Sequence, residues 1–154
     1  MTVALRPEEP ADELFLRGLI TETIALELGA HNWPEPIRDQ LLALQFANRR
    51  HAPKSNFPEG ESRVILLDGE SAGWLFFATL PDEIHLVEIM VLSRHRGKGA
   101  GSTAIREVLA LAAAAGKPVR LTVNVLNAGA IRLYQNLGFR RIGGDEIQHV
   151  MEAT

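Results

Sequence analysis

The distribution of apolar and polar positions predicts a chain of alternating helices and strands. Helical spacing of apolar residues predicts helices at about residues 10–28 and 37–50, a third that contains Ile105 and ends at Gly116, and a short fourth from Asn127 to Leu137. Apolar runs predict strands at residues 2–6, 63–68, 73–80, 83–92, 119–125, 139–142 and 147–152. We interpret residues 51–61, which contain two prolines and a glycine, as a loop.

The order of these elements constrains the sheet. Asp68-Gly69 between two strands is a strong hairpin signal, so the early strands are expected to be antiparallel. A helix crosses over between strands 83–92 and 119–125, which predicts that those two are parallel and adjacent. The expected fold is a single α/β (α+β) domain spanning residues 1–154, in which about four helices flank a mixed, mostly antiparallel sheet.

The composition excludes several function classes. The 154 residues are 46% apolar and 23% charged and contain no cysteine, so thiolate metal sites and cysteine nucleophiles are ruled out. A net charge of −3 argues against nucleic acid as a partner. No apolar run approaches the roughly 20 residues that span a bilayer. With no signal-peptide pattern at the amino terminus, we expect a cytoplasmic protein.

A basic, glycine-rich loop separates the strand at 83–92 from the third helix. Three cations, Arg94, Arg96 and Lys98, precede the helix amino terminus, where the helix dipole disfavours positive charge. Glycines let a ligand approach the free N–H groups closely, so the loop favours a bound anion, although a solvated basic turn is the alternative. Neither the Rossmann fingerprint nor the P-loop pattern is present.

The same loop carries a resemblance to a known family. Residues 96–101 match the pattern [Q/R]-x-x-G-x-[G/A], and an apolar strand, Glu88 to Leu92, precedes them. Residues 127–134 match N-x-x-A-x-x-L-Y, and residues 135–139 match E-x-L-G-F with glutamine in place of glutamate. Together these matches resemble the GNAT superfamily of N-acetyltransferases. Ser93 departs from the pattern, because proline is common there.

The resemblance implies a splayed parallel strand pair, acetyl-CoA as the co-substrate and no metal. The pyrophosphate would lie on the backbone amides of Arg96, Gly97, Lys98, Gly99, Ala100, Gly101 and Ser102. The pantetheine arm would pair with the backbone of Ile89, Met90 and Val91, like an added strand. Asn127 would bind the arm, and Tyr134 would sit at the sulfur.

Two residues are the candidates for catalysis. Tyr134, the single tyrosine, can keep its proton at neutral pH and share it with a leaving thiolate, although its helical stripe also suits core packing. Glu88 lies in an apolar strand, where burial could make it a base for the amine, or where it could serve only a salt bridge. His85 lies three residues before Glu88, so its side chain points to the opposite face of the sheet from Glu88 unless the strand bulges. Glu83, His149 and His31 are weaker candidates.

The expected activity is direct transfer of an acetyl group onto a primary amine of a small molecule or peptide. Two alternatives stay open, an inactive CoA-binding sensor and a binder of nucleotide phosphates. We expect neither nucleic acid nor membrane as a partner, and a homodimer is compatible with the sequence.

Overall fold

The computed structural model describes residues 1–29 and 32–154, and its centre is one seven-stranded sheet. The strands are β1 Val3–Pro7, β2 Glu61–Leu67, β3 Glu70–Thr79, β4 Ile84–Val91, β5 Val119–Asn124, β6 Arg140–Gly144 and β7 Gln148–Ala153. Their order in the sheet is β1-β2-β3-β4-β5-β7-β6, and every neighbouring pair is antiparallel except β4 and β5. The predicted mixed sheet is therefore confirmed.

Four α-helices of the described residues cover the two faces of this sheet. They are α1 Glu13–Leu28, α2 Glu35–Asn56, α3 Ala100–Ala115 and α4 Ala128–Asn136. Buried residues of α1 pack with Trp74, Phe76 and Met90 on one face. The buried stripe of α3 and Tyr134 of α4 pack with Leu75 and Phe77 on the other. Alternate β3 residues thus serve opposite cores, as strand geometry requires.

The parallel strands β4 and β5 stay together for only a short distance. Their pairing is confined to Ile84 with Val119 and His85 with Arg120. Beyond these pairs the two strands diverge, and β5 pairs along its whole length with β7 instead. The divergence opens a gap beside the second half of β4, between the helices of the two faces.

A β-bulge interrupts β4 in the middle. Phe76 of β3 pairs with Glu88, but the next β3 residue pairs with Leu86, so Val87 is an extra residue on β4. Such an insertion shifts the alternation of side chains beyond it by one position. As a result Val87 and Met90 pack with α1, while Leu86 and Ile89 pack on the α3 side.

Most predicted boundaries agree with the structure to within three residues, but the end of α2 does not. Residues 51–56, predicted as part of a loop, continue α2 to Asn56. The reason is tertiary: Pro53 is the buried residue of this helix, and Lys54 Nζ donates to the Gly60 carbonyl at 3.3 Å. No helix in the described ranges is long and apolar enough to cross a membrane.

Candidate active site

The glycine-rich loop enters α3 with its backbone exposed. Gly97 and Gly99 have φ angles of 77° and 82°, a left-handed conformation that favours glycine. A Cβ atom built on either one would meet no atom within 4 Å. Among the described residues no side chain caps the amino terminus of α3, so its first N–H groups have no capping partner there.

Contacts from other elements change the charge balance expected for this loop. Arg94 pairs with Glu70 of β3, with its Nη2 atom 3.1 Å from Oε1. Arg96 folds back, and its Nε donates to the Val91 carbonyl at 3.0 Å. The Ser93 N–H donates to Glu22 of α1 at 2.7 Å, a bond that proline could not make. Lys98 is exposed and lies outside the cavity wall described next.

A cavity of about 600 Å³ extends from the loop into the gap beside β4. The predicted ligand-binding residues that line it are Ile89, Met90, Val91, Arg96, Gly97, Gly99, Ala100, Gly101, Ser102, Asn127 and Tyr134. The structure therefore brings together residues that are more than 40 positions apart in the sequence. We call this space the donor cavity, after the acetyl donor that the family resemblance implies.

The backbone of β4 offers the donor cavity only some of its polar groups. The Leu92 N–H donates to the carbonyl of Ala72 in β3. The backbone N–H groups of successive residues point to alternate sides of a strand. The N–H group of Met90 therefore also points to β3, and the N–H groups of Ile89 and Val91 point to the gap. The alternation assigns any pairing with an extended ligand to Ile89 and Val91, while Met90 contributes to the wall.

A second cavity, of about 680 Å³, adjoins the donor cavity. It shares Glu27, Ile89, Asn127 and Tyr134 with the donor cavity. Its further polar lining consists of Arg49, Glu88, Thr122, Asn124 and Gln148. Tyr134 thus lines both compartments. We call the second one the acceptor cavity, after the acetyl acceptor that the family resemblance implies.

Tyr134 lies between the two cavities, near the carboxyl end of α4. Its ring packs edge-to-face against Phe139, with 5.7 Å between the centroids. Burial and, to a lesser extent, the negative charge of Glu88 raise the pKa of Tyr134 to about 12. The phenol is therefore protonated across the whole neutral range. Asn127 caps the helix that carries it, since its Oδ1 accepts from the Ala130 N–H at 3.2 Å.

Glu88 faces the acceptor cavity and is bound by Arg49 of α2. The Arg49 Nε atom lies 2.8 Å from Glu88 Oε2, and Nη2 lies 3.3 Å from Oε1. The Arg49 Nη1 atom also donates to Glu27 of α1 at 2.9 Å. Burial raises the pKa of Glu88, and the charge of Arg49 acts in the opposite direction.

Comparisons with known proteins give this geometry a family. The PaiA N-acetyltransferase of Thermoplasma acidophilum, solved with coenzyme A, has a TM-score of 0.77 at 17% identity, covering 100% of this chain and 99% of that one. The ribosomal-protein-S18-alanine N-acetyltransferase of Escherichia coli has a TM-score of 0.67 at 18% identity, covering 99% and 93%. No curated protein matches the sequence. The Acetyltransferase (GNAT) family model matches residues 23–139. This chain belongs to the GNAT acetyltransferase family.

Other candidate bases of this GNAT acetyltransferase lie elsewhere or are not described. The bulge places His85 and Glu88 on the same face, where His85 stacks on Phe57 with 5.5 Å between ring centroids. His85 Nδ1 lies 3.0 Å from Glu83, which also contacts Arg120 at 3.5 Å. Neither His85 nor Glu83 lines the two cavities. His149 of β7 pairs with Val123 of β5, and His31 lies outside the described residues.

Several residues that line the acceptor cavity of this acetyltransferase have no recognisable signal in the sequence. Arg49 and Glu27 come from helices, and their pattern on those helices is that of ordinary surface charges. Asn124 and Gln148 face each other across the pairing of β5 with β7. Only the strand register could have brought them to the cavity. In the described ranges, no three His, Asp or Glu side chains converge as metal ligands would.

Proposed function

We propose that this GNAT acetyltransferase moves an acetyl group from acetyl-CoA directly onto a primary amine of a small molecule or peptide. The observation that carries the proposal is the junction of the two cavities at Tyr134. One cavity begins at an uncapped helix amino terminus and the other contains a carboxylate, so a thioester and an amine can meet at one phenol.

The donor cavity has the chemistry that a CoA pyrophosphate requires. The N–H groups at the start of α3 supply unpaired donors and partial positive charge. His95 lines the same cavity, and its Nδ1 atom is buried without a hydrogen-bond partner among the described residues. The complex of the PaiA neighbour with coenzyme A agrees with this assignment.

The acceptor cavity has a group that can deprotonate an amine. Glu88 accepts a proton from the ammonium form, through one water where the Arg49 bonds leave a lone pair free. The neutral amine attacks the acetyl carbonyl, the new C–N bond forms and the C–S bond breaks. The gap-facing N–H group of Ile89, a residue that lines both cavities, can stabilise the developing oxyanion.

Tyr134 serves the leaving sulfur. A thiol of pKa near 8.5 is a stronger acid than a phenol of pKa about 12 by about 5 kcal/mol, at 1.36 kcal/mol per pKa unit. Full transfer of the phenol proton to the thiolate is therefore unfavourable. A hydrogen bond from the hydroxyl to the departing sulfur stabilises it, and the proton released by the amine later neutralises the thiolate.

The test is acetyl-CoA consumption across amines of different classes: polyamines, amino acids, aminoglycosides and peptide amino termini. Release of free CoA can be followed with a thiol reagent without background, because the protein has no cysteine. We expect at least one class to give an acetylated amine of the correct mass. Tight acetyl-CoA binding without turnover on any class would contradict the proposal and support a sensor.

A further inference from the structure

The guanidinium of Arg49 joins three elements around the acceptor cavity. It donates through two nitrogens to Glu88 of β4 and through a third to Glu27 of α1, at distances of 2.8, 3.3 and 2.9 Å. Glu27, Arg49 and Glu88 all line that cavity together with Tyr134. A planar guanidinium with two carboxylates in this arrangement fixes the orientation of both, which a flexible ammonium cannot do.

We propose that Arg49 is a positioning residue of the acceptor site, which holds the Glu88 carboxylate at the cavity wall for its contact with the incoming amine. The inference rests on the proposed amine acetylation and extends it to a residue of α2. The β4 bulge turns Glu88 towards the helices, and Arg49 then determines which carboxylate lone pairs stay open to the cavity.

Besides orienting Glu88, Arg49 favours the ionised form of this carboxylate. The groups that face Glu88 in the described chain are Arg49 on α2, Glu27 on α1 and the phenol of Tyr134 on α4. Burial and Glu27 both raise the pKa of Glu88, and Arg49 opposes them. Without Arg49, both remaining influences favour the protonated acid, which cannot accept a proton from an amine.

The adjacent residue provides a matched control. Arg50 also binds two carboxylates, with Nη2 at 2.8 Å from Glu8 and 2.9 Å from Glu13, and it lies over the Trp74 ring. These contacts are on a different part of the fold and line neither the donor nor the acceptor cavity. A change at Arg50 therefore removes a comparable ion-pair cluster from the same helix without touching Glu88.

The experiment compares Arg49→Gln, Arg49→Lys and Arg50→Gln with the parent, using the amine that the parent accepts best. For Arg49→Gln we expect kcat/KM for the amine to fall by about 10- to 100-fold, as for a misplaced catalytic group. Its acidic limb in the pH–rate profile should move up by about one pH unit. KM for acetyl-CoA should not change. Arg49→Lys keeps the charge and loses the fork, so its acidic limb should stay near that of the parent while kcat/KM falls about tenfold.

Arg50→Gln is expected to lower the melting temperature and leave the pH profile unchanged. Parent-like kcat/KM and pH profiles in a folded Arg49→Gln or Arg49→Lys protein would overturn the role of Arg49 alone. If Arg49→Gln fails to fold, the Arg49→Lys protein tests the positioning role of Arg49. A parent that acetylates no amine would instead refute the proposed function, and the role of Arg49 with it. Titration of the Glu88 carboxyl by ¹³C NMR, which needs no turnover, should show a higher pKa in Arg49→Gln.

Discussion

At the scale of single residues, Val87 has an effect out of proportion to its chemistry. As the extra residue of the β4 bulge, it moves Glu88 onto the face of the helices α1 and α2. In a regular strand Glu88 would share the face of Leu86, inside the core that α3 covers. The bulge thus places a carboxylate beside a cavity instead of in an apolar core, where an unpaired charge is very costly.

Tyr134→Phe tests the proposed role of the hydroxyl, because the change removes one oxygen and keeps the ring. We expect turnover to fall by roughly 10²-fold, the lower end for loss of one hydrogen-bond donor to a developing negative charge. The melting temperature and the affinity for acetyl-CoA should hold, since the contact with Phe139 stays. Steady-state kinetics, calorimetry and a thermal melt provide the three readouts.

Phe139→Leu is the control for this experiment, since it loosens the same ring contact and leaves the hydroxyl in place. It should lower the melting temperature and keep most of the turnover. The reverse pattern, a fully active but less stable Tyr134→Phe protein, would show that the tyrosine serves only packing.

At the scale of elements, the junction of β1 with α1 depends on one buried acid. Asp12 accepts from the Arg6 guanidinium at 2.8 Å through both oxygens, and Oδ2 also accepts the Glu9 N–H at 2.7 Å. These bonds, those of Arg6 first, hold the pKa of Asp12 below its ordinary value. A lowered pKa stabilises the folded state above the unfolded value of about 4, and this stabilisation is lost as the pH falls through the folded value.

Asp12→Asn is therefore expected to destabilise the protein in a pH-dependent way. At pH 7 the loss should be about 1.5–3 kcal/mol, the range for hydrogen bonds to a charged group. As the pH falls through the lowered pKa of folded Asp12, the parent acid is also protonated, so the two melting curves should converge. Thermal melts from pH 2 to 7 measure the difference. Asp39→Asn, at an exposed position, should show no such trend, and a pH-independent difference for Asp12→Asn would contradict the assignment.

The start of α3 offers a second test at this scale, because Gly101 faces the donor cavity. A Cβ there would lie 3.6 Å from Val91 Cγ2, an ordinary contact, so Gly101→Val should fold normally. The same side chain would block a phosphate from the helix N–H groups, and acetyl-CoA affinity should fall at least tenfold. Gly18→Val in α1, where a Cβ also has free space, is the control. Calorimetry showing equal affinity for both folded variants would remove the loop from the binding site.

The elements around the glycine-rich loop could be predicted because several local signals coincide there. The stripe from Ile105 to Ala112 and the left-handed Gly116 at its end each indicate the same helix. For α2 the local signals conflict with the fold: Pro53 argues against a helix, yet its burial helps to keep the last turn in place. The bulge in β4 has no local signal, since Val87 is a normal strand residue.

At the scale of the whole molecule, the site is assembled from contacts that sequence patterns cannot reveal. Arg49 and Glu88 are 39 positions apart, and Arg49 and Glu27 are 22 apart. Most residues that line the donor cavity could be grouped from the sequence because they lie in one continuous motif and one capped helix. The acceptor half could not, because it depends on how α1 and α2 lie against the diverging strands.

Divergence of β4 from β5 leads to the prediction for the molecule as a whole. The strands pair only at Ile84 with Val119 and His85 with Arg120, and farther along the N–H groups of Ile89 and Val91 face the gap. Acetyl-CoA with its pantetheine arm lying there as an added strand would give both N–H groups a partner, in the arm or in the acetyl carbonyl. We expect acetyl-CoA to slow hydrogen exchange at Ile89 and Val91 and to leave Met90, which faces β3, nearly unchanged. At 100 times its dissociation constant, the ligand should also stabilise the fold by about 2.7 kcal/mol.

ATP offers phosphates without the arm, so it should leave exchange at Ile89 and Val91 unaltered even where it binds the loop. Bound acetyl-CoA that protects Met90, or none of the three, would show that the arm does not lie between the strands.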